Sequence, residues 1–417
     1  MKSYVTISLG CKVNAYEISA LTSRLQELGY VEDKKNPTVA IINTCSVTAT
    51  ADQKSRQHIR KLINNYPNAL VVVMGCYSQG HHDFIKSDIK ANVITGTSNR
   101  DKIVNLIEEY TNNHRVIDIT EDNPRKYQYE ELGLTTHFEN VRAYLKIQDG
   151  CDNFCSYCLI PYVRGRSRSR AYDKIMDEAE SIVNQGYKEI VLTGIHVGGY
   201  GKDLEGQSFS KLVNDLLNIK GLYRLRISSI EESEIDDELI KLINTRKNLA
   251  QHFHIPLQAG SDTVLKRMNR KYNKEQFINK INLIKKACPN VTLTTDVIVG
   301  FPGESEEEFM ETYNFIKECG FHMLHVFPFS SREGTLASKM KDQINPKIKK
   351  ERCLKLIELS NKLWDEYCSK FVGQEVEVLV EQYEDGYNIG HTSNYLEVKY
   401  PSNKSEVGQI VKVVYKK

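Results

Sequence analysis

The sequence predicts an α/β protein. It should hold an N-terminal parallel-sheet α/β domain, a central partial (β/α)6 barrel and a small C-terminal all-β barrel. Three observations predict this. Short β-rich runs alternate with polar, helix-compatible stretches over residues 1–120. The alternation restarts near residue 141 and repeats six times. After Lys370 it gives way to β-branched alternation separated by turn signals. Strand–helix alternation argues for parallel strands with helices on the sheet faces, and clustered short strands argue for a small barrel.

In the first unit the strand candidates are Tyr4–Leu9, Val39–Asn43, Leu70–Gly75 and Asn92–Thr95, with helices expected over Ala15–Leu28 and Ala51–Asn64. Residues 121–140 are polar, hold a proline and lack periodicity, so they read as a linker. The barrel is expected over 141–368. Its strand candidates are Ala143–Gln148, Glu189–Leu192, Arg224–Ser228, Phe253–Pro256, Leu293–Val299 and His322–Phe327, with helices such as Tyr172–Gln185 and Lys274–Lys286 between them. Chemistry in such barrels sits at the C-terminal strand ends. Residues 371–417 carry the runs EVEVLVEQYE, YLEVKY and QIVKVVY, read as the all-β unit.

A chain of 417 residues exceeds one compact core, and its 40% hydrophobic and 26% charged residues are ordinary for a soluble protein. Lys plus Arg number 56 and Asp plus Glu 54, so any basic surface must be local. No apolar run approaches the roughly 20 residues that span a bilayer. The start, MKSYVTISLGC, reads as a first strand and not a signal peptide. A cytoplasmic protein without a membrane partner is expected. Ten cysteines in such a chain point to metal or redox chemistry.

Cys151, Cys155 and Cys158 stand in C-x3-C-x2-C spacing just after the first barrel strand. Three thiolates on one loop can hold three irons of a [4Fe–4S] cube and leave the fourth open. S-adenosyl-L-methionine (SAM) can chelate that iron and, on accepting one electron, yield a 5′-deoxyadenosyl radical. A structural zinc site is the plainer alternative, but it normally takes four protein ligands, and no fourth cysteine is near. Cys11, Cys45 and Cys76 each follow a strand of the first unit. In a parallel sheet those ends share one edge, so the three should converge on a second cluster. Against this stands the frequency of cysteine as a buried core residue.

These residues carry a family resemblance. GCDNFCSYCLIPYVRGRSRSR (150–170), IVLTGIHVGGYG (190–201), HFHIPLQAGSDTVLKRMNR (252–270) and TDVIVGFPGESEEEF (295–309) resemble segments of the radical SAM methylthiotransferases, and the likeness spans essentially the whole chain. It implies an N-terminal methylthiotransferase domain, a radical SAM core and a C-terminal TRAM domain. It also implies two [4Fe–4S] clusters, on Cys151, Cys155 and Cys158 and on Cys11, Cys45 and Cys76. One SAM methylates sulfur at the second cluster, and another supplies the radical that removes hydrogen from the substrate carbon. The stretch GCKVNAYE (10–17) resembles the branch acting on C2 of threonylcarbamoyladenosine at tRNA position 37. The alternatives are isopentenyladenosine in tRNA and an aspartate of a ribosomal protein. The implied partners are tRNA and an electron donor such as a flavodoxin or ferredoxin.

Other residues admit two readings. Arg164, Arg166, Arg168 and Arg170 are expected to meet tRNA phosphates or a substrate carboxylate, against a plain solvated run. Gly194, with Gly198 and Gly199, is expected near SAM, against an ordinary turn. Ser228 and Glu231, beside Ser229, are likewise expected to contact SAM, against helix capping. His252 and His254 would share one barrel face, or be ordinary satisfied histidines. Cys288, Cys319, Cys353 and Cys368 share no spacing and read as buried apolar residues. Residues 371–417 hold seven acids against five lysines, which runs counter to RNA binding and leaves room for the protein-modifying branch.

Overall fold

The β-branched runs of the first unit become six parallel strands. The computed structural model describes residues 2–89, 91–110, 116–136, 138 and 140–417. Strands β1 (Ser3–Ser8), β2 (Val31–Glu32), β3 (Val39–Thr44), β4 (Leu70–Gly75), β5 (Val93–Ile94) and β6 (Ile117–Asp118) pair in the order β2-β1-β3-β4-β5-β6. Side chains alternate across a strand, so each strand feeds two helical layers. Tyr4, Ile41 and Val72 pack with Ile18, Leu21 and Leu25 of helix α1 (Lys12–Glu27) on one face. Val5, Ile42 and Val73 meet Ile59 and Leu62 of helix α2 (Ala49–Asn65) on the other. Each such buried aliphatic side chain stabilises the sheet by about 1.5–3 kcal/mol.

The barrel opens with β7 (Ala143–Lys146). A short hairpin, β8 (Gln148–Asp149) with β9 (Arg168–Ser169), follows it. The remaining barrel strands are β10 (Glu189–Thr193), β11 (Arg224–Ile227), β12 (His252–His254), β13 (Thr292–Val299) and β14 (Met323–Pro328). They form two parallel ladders, β7-β10-β11 and β12-β13-β14, joined by a parallel bridge between Ser229 and His254. Among the described residues β14 and β7 share no ladder, so the barrel is open on that side. Helix α1 of the first domain packs against β7.

The last domain is a curled antiparallel sheet of β15 (Glu375–Glu384), β16 (Tyr387–Thr392), β17 (Glu397–Pro401) and β18 (Ile410–Val414), in the order β17-β16-β15-β18. Strand β16, YNIGHT, carries no sustained apolar alternation and was absent from the sequence reading. The domain seats on the N-terminal strand ends of the barrel. Arg226 donates to the carbonyls of Thr392 (3.1 Å) and Ser393 (3.2 Å), and Thr292 Oγ1 donates to that of Asn394 (2.7 Å). Tyr395, at φ +69°, stacks on His252 with centroids 4.8 Å apart. One acid of this acidic domain, Glu381, pairs with Arg142 of the barrel at 3.0 Å.

Residues 121–140, expected as a linker, are mostly exposed where described but are anchored at a few points. Leu132 and Phe138 are buried, and Glu130 accepts from Arg100 Nε at 2.6 Å. Among the described residues no helix is long and apolar enough to cross a membrane.

Candidate active site at the barrel mouth

Parallel register brings the first cysteine set together. Ser8 pairs with Asn43, and Asn43 with Met74, so β1, β3 and β4 end side by side. Cys11 caps α1 and Cys76 begins helix α3 (Cys76–Phe84), placing both at helix N-termini, which favour thiolates. Two glycines make the close packing possible. Gly10 has φ +94°, and a Cβ on it would lie 2.5 Å from Cys45 Sγ. Gly75 has φ +104°, and a Cβ there would lie 2.3 Å from Asn43 Oδ1. Only glycine tolerates both the backbone and the approach. Burial pushes the Cys76 thiol up to about 12 and also raises Cys45, with the Cys11 charge adding to both. Arg164 Nε donates to Cys76 Sγ at 3.1 Å. Buried thiols that raise one another's pKa become thiolates only beside a cation, which suits an iron cluster.

The second set lies on the loop after β8. Asn153 N donates to Cys151 Sγ at 3.5 Å, Ile160 N to Cys158 Sγ at 3.4 Å, and Arg270 Nη1 to Cys155 Sγ at 3.4 Å. Burial, then the charge of Cys155, pushes the Cys158 thiol up to about 12. A cavity of about 190 Å³ adjoins the loop, lined by Cys155, His196, Glu231, Glu234 and Arg270 among others. His196 Nε2 stands 2.9 Å from Glu234, and Glu231 is ion-paired to Arg270.

A larger cavity, about 570 Å³, occupies the barrel lumen. Gly194 and Ser228 line it at the C-terminal strand ends, and Cys11 and Lys12 enter it from the first domain. The two cavities are built on the same two loops: Gly194, Ile195, Ser228 and Ser229 line the larger, and His196, Glu231 and Glu232 the smaller. Gly194 and Ser228 therefore face the lumen, while Glu231 faces the Cys155 loop. Deeper in the lumen stand Arg142, Arg226, His252, His254, Asp296 and His325. His254 Nε2 lies 3.2 Å from Asp296 Oδ2. Burial and the Arg142 and Arg226 guanidinium groups lower the pKa of Lys12.

The arginine run is not a phosphate-binding surface. Arg164, Arg168 and Arg170 are buried. Arg164 bonds Glu17 (2.9 Å) and Asp149 (3.1 Å), Arg168 stands 3.3 Å from Asp149, and Arg170 pairs with Glu131 and Glu178. Only Arg166 of the four is exposed, and it pairs with Asp152 at 3.0 Å. Such charges belong inside because each has a carboxylate partner. The network also takes Arg100 and Lys146, and it joins the first domain to the barrel. Lys12 and Arg226, which line the lumen, were not singled out from sequence. Inward alternation along β11 was the available signal for Arg226. Cys288, Cys319, Cys353 and Cys368 are buried and free.

Residues 145–316 match the radical SAM superfamily, and residues 3–96 match an uncharacterized protein family, UPF0004. The chain is 44% identical over 97% of its length to threonylcarbamoyladenosine tRNA methylthiotransferase MtaB of Bacillus subtilis (strain 168), covering 92% of that protein. The chain belongs to the radical SAM methylthiotransferase family. A second relative of the same name, from Aquifex aeolicus (strain VF5), is 36% identical over 98% of each chain. A tRNA-2-methylthio-N(6)-dimethylallyladenosine synthase of Acetivibrio thermocellus is 36% identical over 99% of this methylthiotransferase and 88% of the relative. The radical SAM methyltransferase TsrM from Kitasatospora setae shares the fold, at TM-score 0.56 and 14% identity over 78% of this chain and 73% of that one. Membership of the superfamily assigns SAM and one [4Fe–4S] cluster, and Cys151, Cys155 and Cys158 offer thiols suited to it.

Proposed function

We propose that this methylthiotransferase acts on threonylcarbamoyladenosine in tRNA and places a methylthio group on C2. Full-length likeness to relatives named for that substrate supports the reading, and one observation carries it. Cys11 of one cysteine triad and Cys155 of the other line two neighbouring cavities built on the C-terminal ends of the barrel strands. In this reading Cys11, Cys45 and Cys76 hold a second [4Fe–4S] cluster, and Gly194, Ser228 and Glu231 contact SAM. When bound, the clusters and SAM supply the sulfur, the methyl group and the hydrogen-abstracting radical. The chain's own part is to hold both cofactors against one lumen and to exclude water from it. A one-electron donor of the flavodoxin or ferredoxin type completes the system, which works in the cytoplasm.

The test is mass spectrometry of tRNA nucleosides from cells with and without the gene. Loss of 2-methylthio-threonylcarbamoyladenosine on deletion, and its return on complementation, is the expected result. An unchanged level of that nucleoside overturns the substrate assignment and makes isopentenyladenosine the next test.

A further inference from the structure

The lumen wall is cationic, and its charges are unequally satisfied. Arg226 Nε donates to Glu189 at 2.6 Å, Arg224 stands 2.9 Å from the same carboxylate, and Arg142 is held by Glu381 at 3.0 Å. Asp296 is engaged by His254. Lys12, accessible from the cavity, forms no salt bridge among the described residues. Three cations, Lys12, Arg142 and Arg226, thus share the cavity lining with one carboxylate, Asp296. The balance favours an anionic group on whatever enters. Lys12 opens helix α1 next to Cys11, so its reach is fixed by the same turn that positions a cluster thiol.

We propose that Lys12, backed by Arg142 and Arg226, receives the threonyl carboxylate of the substrate adenosine and selects it over an adenosine bearing an apolar prenyl group. The inference rests on the threonylcarbamoyladenosine reading and deepens it. A lysine forms a charge-assisted bond with a carboxylate, whereas a prenyl group would leave the ammonium without a partner. Lys12 acts here as a specificity residue: it touches the N6 substituent and not the reacting carbon.

The experiment uses the full chain with both clusters loaded. Its probes are an anticodon stem-loop RNA with threonylcarbamoyladenosine at position 37 and the same RNA with the threonyl carboxylate converted to a carboxamide. Binding is read by fluorescence anisotropy for the wild type, Lys12→Gln and Lys12→Arg, with iron content measured for each. The wild type should prefer the acid by about tenfold or more, as expected for a charged hydrogen bond of modest strength. Lys12→Gln should bring the ratio near one, and Lys12→Arg should restore part of it. Equal wild-type binding of acid and amide overturns the proposal, independently of any variant. So does a Lys12→Gln protein that weakens both RNAs equally, which would assign the lysine to the RNA backbone or to the cluster charge. Mass spectrometry of the wild-type reaction on the acid RNA tests the parent reading separately: an acid preference without methylthiolation would leave the carboxylate site standing and remove the assigned reaction.

Discussion

Arg164 donates to the Cys76 sulfur and bonds Glu17 and Asp149, so one buried residue ties the Cys76 thiol to the joint between the two domains. In the proposed function the two cysteine sets serve separate steps, and single substitutions should divide them. Cys155→Ala removes one of three thiols on the barrel loop and should reduce reductive SAM cleavage by more than about a hundredfold, since even residues outside the ligand set cost 10–100-fold at metal sites. Cys45→Ala lies in the other domain and should leave 5′-deoxyadenosine formation in place while abolishing methylthio transfer. Chromatographic assay of 5′-deoxyadenosine beside product tRNA decides it, and cleavage persisting in Cys155→Ala would remove the loop as the SAM cluster site. The cysteines were legible in the sequence because their signals are local: close spacing in one set, strand ends in the other. The arginine run was not. Its partners Glu17, Glu131, Asp149 and Glu178 lie on other elements, and local sequence cannot say whether a charge will meet a carboxylate indoors.

Strands and helices show the same division. The six barrel strands could be read from apolar runs because each sends side chains into one continuous core. The two-residue edge strands β2 and β6 were missed, being too short for any period to register. Where β4 turns into α3, geometry leaves one residue type. Gly75→Ala would force an alanine to φ +104° and set its Cβ 2.5 Å from the Thr44 carbonyl oxygen. The backbone strain alone costs of order 1–3 kcal/mol, and a collision with backbone cannot be relieved by a rotamer change. The turn should open and carry Cys76 away from Cys45. Iron assay and electron paramagnetic resonance should then find the N-terminal site depleted and the Cys151 loop site still loaded. Full iron content in Gly75→Ala would show that this turn does not set the thiol positions.

At the scale of the whole molecule, the three domains are held by polar seams that depend on charge state. The seam beneath the barrel includes His322, whose ring lies 4.2 Å from that of Tyr367 on the helix leading into the last domain. Its Nδ1 accepts from the Leu293 amide at 3.0 Å, which requires that nitrogen to be unprotonated. Burial, reinforced by Lys370 and Lys285, lowers its pKa to about 4, and His252 under Tyr395 is shifted in the same direction, chiefly by burial. An unfolded histidine titrates near 6.5, so below that pH the unfolded chain binds the proton that the native one refuses. The stability tied to neutral His322 is therefore fully present above about pH 6.5 and is lost progressively as pH falls towards 4. Linkage sets the loss from this residue at about 1 kcal/mol by pH 5.5. Urea unfolding at pH 7.5 and 5.5 should show His322→Gln to be less stable than the wild type at neutral pH. It should also be less sensitive to acid by about that amount, a comparison in which acid damage common to both proteins cancels. An identical pH response in the two proteins would mean that His322 is already protonated in the native seam, and that the amide of Leu293 is satisfied in some other way.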